Sequence, residues 1–336
     1  MRTAILDVGS NSAHLKIVDL VAGEPIRTVL SVKRPTRLAE AIQPDGRISR
    51  TAVERLVSAV SEAHRAARAE GSAELIAFAT SAVRDAVNRS DIVDQVTGRT
   101  GVDLCFLSGR DEARLTFLAA RAWYGWSAGP LLMADIGGGS LEIATGTGAE
   151  AATALSLPLG AGRLTRDHLP GDPPARKHVR RLRRFLTTQL AEHLSPGDHG
   201  QPKAYPIATS KTFTQLAKLT GDRNPNGYRV LRLKELDRQI TRLAKRTAEE
   251  RAELRGISRS RSRQILAGAL IAESVMTVLA LTRIEICPWA LREGIALRRL
   301  QQLHAGTAHH IDDIGHLLQP LRDVPTPIRA LSPVSA

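Results

Sequence analysis

Aromatic residues are scarce in this chain: five Phe, three Trp and three Tyr among 336 residues. That scarcity leaves no platform on which bases could stack, which is how single strands are usually held. Zinc-ligand spacings and an obvious recognition helix are missing too, so no nucleic-acid partner is expected. Cysteine is equally sparse. Cys105 and Cys287 stand alone, which excludes a disulfide framework or a thiolate metal site and suits buried thiols in a reducing cytosol. Long apolar runs are also lacking. The longest plain one, residues 265–272, falls far short of the ~20 residues that cross a bilayer. Met1-Arg2-Thr3 leads straight into an apolar strand pattern, so the expectations are no secretory leader, no membrane partner and a cytoplasmic location.

Positive charge, in contrast, is abundant. The net charge is +13, much of it from arginine, and with nucleic acid set aside it points to some other polyanion. The length suits two domains, each with its own core.

The chain also repeats itself. Asp7-Val8-Gly9-Ser10-Asn11-Ser12-Ala13-His14-Leu15 returns as Asp135-Ile136-Gly137-Gly138-Gly139-Ser140-Leu141-Glu142-Ile143, with Asp, Gly and Ser at matching offsets. Each copy follows an apolar run and leads into another, which reads as strand, tight turn, strand. Gly and small hydroxyl residues let consecutive backbone N–H groups approach a ligand, and such concavities bind phosphate. Two copies imply two homologous α/β domains facing each other across a cleft, each with a phosphate loop.

The rest of the pattern alternates helix and strand. Helical spacing runs over residues 48–70, and 75–79 reads as a buried strand ending in Thr80-Ser81-Ala82-Val83-Arg84-Asp85. Residues 102–107 form another strand, after which Ser108 and Asp111, spaced as a capping box, open a helix to about residue 124. Residues 125–130 read as a linker between the halves. In the second half, 156–162 reads as a strand end and glycine turn, and 173–194 as a long helix. A strand over 206–209 leads through Thr209-Ser210-Lys211-Thr212 into a helix, and 233–253 and 263–281 are helical. A strand at 284–286 precedes a final helix, 291–303, expected to cross back onto the first domain. The expected division is 1–126 with 291–305, then 127–290, then a loose tail over 306–336.

Some candidates follow from the residues alone. Asp135 closes an apolar strand, where an unpaired carboxylate is costly. Glu142, two residues past Ser140, lies opposite Leu141 and Ile143 by strand alternation, so Asp135 and Glu142 can converge on one cation. Arg176, Lys177, Arg180, Arg181 and Arg184 share a helical face. That face is either plain solvated surface or a rail for a long polyanion.

These blocks, with Ser108-Gly109-Arg110-Asp111-Glu112-Ala113-Arg114-Leu115 and Leu291-Arg292-Glu293-Gly294, resemble the exopolyphosphatase and guanosine pentaphosphate phosphohydrolase family. That family shares a superfamily with actin, heat-shock chaperone ATPases and sugar kinases. The resemblance runs over about residues 2–300 and is to the short actinobacterial form, without a C-terminal HD-like domain. It implies an α/β fold of two duplicated actin-like, ribonuclease H-like domains around a central cleft. The implied activity is release of orthophosphate from the end of inorganic polyphosphate, with short to medium chains expected as the better substrates. The implied ion is Mg²⁺, with Mn²⁺ as an alternative and K⁺ as a stimulant, and the implied assembly is a homodimer.

The resemblance also assigns roles. Glu112 matches the catalytic base, although an acid at a helix start also simply favours the dipole. Asp135 and Glu142 become Mg²⁺ ligands, and Asp7 either adds a ligand through water or is a hydrogen-bonded turn carboxylate. Gly9, Ser10, Asn11, Ser12, Gly137, Gly138, Gly139 and Ser140 form the phosphate loops, with Lys211 a further contact. Arg84 either clamps the transferred phosphoryl group or pairs with Asp85 or Glu112. Arg292 and Glu293 read as an internal ion pair fixing the last helix. Guanosine pentaphosphate, hydrolysed to the tetraphosphate, is the alternative substrate. A superfamily kinase or ATPase would need a glycine pair near adenosine, which Ala267-Gly268-Ala269 and Thr209-Ser210-Lys211 lack. A non-hydrolytic alarmone sensor would not need Glu112, Asp135 and Glu142 together.

Overall fold

A continuous apolar run in β1 (Arg2–Val8) and an alternating one in β2 (Ser12–Asp19) make the first hairpin, paired antiparallel with Asp7 opposite His14. In the computed structural model, which describes residues 1–194, 204–305 and 314–320, β2 continues antiparallel to β3 (Arg27–Pro35). On its other side β1 runs parallel to β4 (Glu74–Ala79), which runs parallel to β5 (Cys105–Phe106). The helix Arg50–Ala69 presents Val53, Leu56, Val57, Val60 and Ala63 to this sheet, the spacing of one helical face. A second helix, Arg89–Thr100, packs beside it and ends at Gly101 in the left-handed region.

The second half builds the same sheet again. β6 (Leu131–Ile136) pairs antiparallel with β7 (Leu141–Gly146), and β7 with β8 (Thr153–Leu157). β6 runs parallel to β9 (Tyr205–Thr209), and β9 to β11 (Arg283–Ile286), with β10 (Val230–Arg232) antiparallel at the edge. The order β10-β11-β9-β6-β7-β8 repeats β5-β4-β1-β2-β3 of the first sheet with one edge strand added. The first sheet gains its own antiparallel edge strand from β12 (Gln319–Pro320), paired with β5. Both halves therefore have one α/β topology, the duplicated actin-like arrangement that the resemblance implies. Among the described residues, no helix is long and apolar enough to cross a membrane.

Three details differ from the pattern read in the sequence. The described residues form two compact units, 1–107 with 305 and 314–320, and 108–194 with 204–304, so the helix Gly109–Tyr124 falls in the second unit and not the first. It packs on β6, β7 and β8. The last helix, Leu291–Ala305, belongs there as well, apart from its terminal residue. A Cβ on Gly294 would lie 1.9 Å from the Leu115 carbonyl oxygen, so the two helices cross in backbone contact. Arg298, buried, adds an ion pair to Glu150 at 2.6 Å. Residues 125–130 are consequently a turn inside this unit. The guanidinium of Arg121 closes it by donating to the carbonyls of Gly125, Gly129 and Gly146.

The second difference is that the helical stretch 233–253 is broken. Leu233–Leu243 and Ala248–Ala252 are separate helices, because Thr247 and Glu250 form a complete capping box that restarts the chain. The third lies in the tail, where Ile314 is buried in a helical turn, Ile314–Leu317, just before β12. That segment is docked and not loose; residues 306–313 and 321–336 of the expected tail lie outside the described residues.

Candidate active site

In the second unit, the Gly137 amide donates to the Ser140 carbonyl at 2.9 Å and closes the turn between β6 and β7. The carbonyls of the loop are then occupied from outside. Ala161 N donates to Gly137 O and Arg163 N to Gly138 O, each at 3.0 Å, and Arg163 Nε donates to Gly139 O at 3.1 Å. Among the described residues no backbone acceptor takes the amides of Gly138, Gly139 or Ser140. Bonded carbonyls and open amides leave a loop with the polarity that attracts an anion. Gly160 makes this fit possible: a Cβ there would sit 2.3–2.4 Å from the Gly139 and Ser140 backbone.

The first unit's loop is built alike. Gly9 N donates to Ser12 O at 3.0 Å, Ala39 N to Ser10 O, and Thr36 N and Arg37 N to Asn11 O. Ser10 and Asn11 are buried.

Register places Asp135 directly opposite Glu142 across β6 and β7, on one face of the sheet. Glu142 is buried and accepts from Ser156 Oγ at 2.9 Å. Its carboxyl is held well above the ordinary range, first by burial, then by the charges of Glu112 and Asp135. Ser140 and Ser156 donate to it and only partly offset this. Three acids thus share one locality: Glu112, Asp135 and Glu142. The Thr209 hydroxyl donates to Asp135 Oδ2.

Glu112 reaches this cluster from the first turn of Gly109–Tyr124 and is itself buried. Ser108 caps that helix by accepting from Asp111 N at 3.1 Å, while its hydroxyl donates to the Asp111 carboxylate at 2.5 Å. Asp111 also pairs with Arg114, so it is engaged in the helix start. A Cβ on Gly109 would collide with Ser156 at 2.4 Å. The cap is therefore pressed against the same serine that holds Glu142.

Positive groups flank the acids. Lys211, in the first turn of Ser210–Thr220, is lowered from its ordinary value, first by burial and then by Lys218, Arg292 and Arg261. Arg261 is pulled down by its burial and back up by Asp135, and its Nη1 donates to Thr212 Oγ1 at 3.3 Å. Ser210 holds φ at +78°, in the left-handed region that disfavours a side chain. Such strain is characteristic of functional turns.

The other expected residues fall as follows. In the first unit, Arg84 bonds Asp85 through Nε and the Leu107 carbonyl through Nη1, each at 3.2 Å, so the pair with Asp85 is present. Asp7 lies opposite His14, whose Nε2 is 2.8 Å from Ser31 Oγ. Glu293 bonds the Ala290 amide at 2.9 Å and so caps the last helix through backbone. Gly268 is a packing glycine, with a virtual Cβ 2.5 Å from the Thr212 methyl. Sequence reasoning missed Thr209, Ser156, Gly160 and Arg261. A signal existed for Thr209, since Ala79-Thr80-Ser81 recurs as Ala208-Thr209-Ser210 at the end of the equivalent strand. None marked Arg261, one of several arginines in its segment.

Comparison with known proteins agrees with this architecture. The family model described as "Ppx/GppA phosphatase family" matches residues 16–303. The chain is 50% identical over 313 residues to Exopolyphosphatase 1 of Mycobacterium tuberculosis, covering 92% of this chain and 91% of that one. The crystal structure of the Aquifex aeolicus Ppx/GppA family member superposes with a TM-score of 0.73 at 26% identity, over 92% of this chain and 99% of that one. An exopolyphosphatase from Cytophaga hutchinsonii shares the fold with a TM-score of 0.79 at 23% identity, over 90% and 98% of the chains. With two matching loops, the three acids and a family match across most of its length, this chain belongs to the Ppx/GppA phosphatase family.

Proposed function

We propose that this chain, a phosphoanhydride hydrolase by family, is an exopolyphosphatase that releases orthophosphate from the end of inorganic polyphosphate. The observation that carries the reading is the gathering of Glu112, Asp135 and Glu142 beside a glycine loop with open amides. The exopolyphosphatase name of the half-identical mycobacterial relative favours polyphosphate over guanosine pentaphosphate.

The acids suit a hard cation. Mg²⁺ is characteristically held by one or two carboxylates, with waters and phosphate oxygens completing its shell. Among the described residues no group of three or more His, Cys, Asp or Glu is placed to hold a metal ion by itself, so water and phosphate oxygens would have to complete the shell of an ion at Asp135 and Glu142. Asp135 and Glu142 would hold the ion, and the crowding that raises Glu142 is what a cation relieves. Bound there, Mg²⁺ would neutralise charge on the phosphoryl oxygens.

The chain's own groups do the rest. The Gly138, Gly139 and Ser140 amides donate to oxygens of the terminal phosphoryl group, and Lys211 and Arg261 balance its charge. Glu112 accepts a proton from water as the water oxygen bonds to the terminal phosphorus. The bridging P–O bond breaks with its electron pair on the shortened chain, and orthophosphate leaves.

The test is phosphate release from polyphosphates of graded length, guanosine pentaphosphate and ATP, with and without Mg²⁺. Glu112→Gln should lower turnover by about 10²–10⁴-fold while keeping fold and polyphosphate binding. Near-wild-type turnover would assign the base elsewhere, and faster release from pentaphosphate than from polyphosphate would overturn the substrate.

A further inference from the structure

The excess positive charge is not spread along the chain. Residues 161–263 contain 24 Lys or Arg against 10 Asp or Glu, an excess of 14, while the whole chain has an excess of 13. Everything outside that segment is close to neutral. Within it, the helix Arg176–His193 buries Leu182, Leu186 and Leu190 against the second unit's core and turns Arg176, Lys177, Arg180, Arg181 and Arg184 outward, all exposed. Among the described residues no ion pair joins Arg176, Lys177, Arg180 or Arg184 to an acid. The acids Asp237 and Glu273 that meet this helix are taken by Arg183. Like charges four apart on a helix cost about 0.2–0.5 kcal/mol per pair, so this row weakens the helix that carries it.

One short helix ties this row to the glycine loop. The first turn of Ala161–His168 bonds the loop carbonyls through Ala161 and Arg163. Seven residue steps later, about 10 Å along the axis, His168 stacks on Phe185 of the basic helix at 4.6 Å, and the charge of Arg181 reaches it. From Arg176 to Arg184 the row spans about 12 Å.

From this placement we propose that the outer face of Arg176–His193 is a second substrate contact. It holds phosphate units of a linear polyphosphate behind the terminal unit engaged at Gly137–Ser140. The proposal rests on the polyphosphate reading of the site. A chain bearing charge on every unit matches a row of cations at regular spacing. Single-stranded nucleic acid matches it less well, because its bases ask for ring faces beside the cations. All three Trp and all three Tyr lie elsewhere, at Trp123, Tyr124, Trp126, Tyr205, Tyr228 and Trp289, and Phe185 is occupied by His168.

The experiment compares the full chain with the triple variant Arg176→Ser, Arg180→Ser, Arg184→Ser. Equilibrium binding of long-chain polyphosphate and of tripolyphosphate is measured in EDTA, so that the substrate persists, and hydrolysis of both is measured with Mg²⁺. The variant should lose about tenfold in affinity for the long chain, the sum expected of three exposed charge contacts, and less than twofold for tripolyphosphate. Its kcat/KM should fall for the long chain alone, and added salt should narrow the difference between the two proteins. Equal losses on both lengths, or none on either, would overturn the tether. So would tighter binding of a duplex RNA than of polyphosphate at equal phosphate concentration. A wild-type chain that binds long polyphosphate through this row without cleaving it would overturn the exopolyphosphatase reading and leave the tether standing.

Discussion

The two halves share a sheet order and a loop but carry different loads. At equivalent places the first hairpin sets Asp7 opposite His14, and the second sets Asp135 opposite Glu142. Both loops have their carbonyls bonded by amides from a following segment, Thr36 to Ala39 in one and Ala161 to Arg163 in the other. In the second a further acid, Glu112, lies close enough to help raise the buried Glu142 carboxyl. Its strand-to-helix turn holds Ser210 at positive φ, which Ser81 in the equivalent turn does not share. A duplicated scaffold thus supplies two turns of one build, and the second carries the paired carboxylates.

The largest effects should come from breaking that asymmetry directly. Asp135→Asn and Glu142→Gln should each cut turnover by at least about 10–100-fold, the range seen when even the outer support of a metal is lost. Each should also shift the Mg²⁺ titration to higher concentration. Asp7→Asn, the symmetry-related change, should cost less and move the titration less. If Asp7→Asn matched Asp135→Asn in both readouts, the two loops would share the ion equally and the comparison would fail.

A smaller effect separates the supports of the loops. Gly160→Ala drives a methyl into the Gly139 and Ser140 backbone, where nothing flexible can yield. It should cost about 1–3 kcal/mol of stability and a larger share of activity, because the displaced atoms are the open amides. At Gly9 the nearest atom to an added Cβ is Ser12 O at 3.4 Å, an ordinary contact. Gly9→Ala should therefore leave the melting temperature near that of the wild type. Melting curves and phosphate release on both variants decide it, and equal destabilisation would mean that Gly160 is no special support.

Much of this was legible beforehand, for identifiable reasons. The hairpins were readable because Asp, Gly and Ser recur at fixed offsets, and the helix at Ser108 because its cap is local. What was missed depends on tertiary partners. The helix Gly109–Tyr124 is apolar over most of its circumference, with Leu115, Phe117, Leu118, Ala119 and Ala120 all buried. Periodicity shows that such a helix is covered but not by which sheet, so the sequence pattern puts the unit boundary after the helix where the structure has it before. β12 is two residues long and exists because β5 offers an edge. Arg261 meets the charge of Asp135 from far along the chain, and Arg259 and Arg263 stand two residues to either side of it.

The smallest prediction contrasts one carboxylate from each half. In the second, Glu273 accepts from Arg183 Nη2 at 3.0 Å, yet burial, with Asp237 nearby, lifts its carboxyl to about 7. In the first, exposed Glu62 pairs with Arg34, and that hydrogen bond pulls its carboxyl below 4.5. The signs are opposite. A raised carboxyl takes up a proton on folding, so Glu273 favours the folded form at low pH, and this advantage is lost as pH rises from about 4.5 to about 7. A lowered one contributes above its unfolded value and is lost only as pH falls below that value, so Glu62 adds no slope between pH 5 and pH 8. Glu273→Gln keeps an acceptor for Arg183 but cannot ionise. It should shrink the fall in melting temperature between pH 5 and pH 8 by about 2–4 °C. Glu62→Gln should leave that fall as in the wild type, with at most a small uniform loss from an exposed pair. Should Glu273→Gln preserve the wild-type fall, Glu273 is already ionised in the folded protein at pH 5 and Arg183 outweighs its burial.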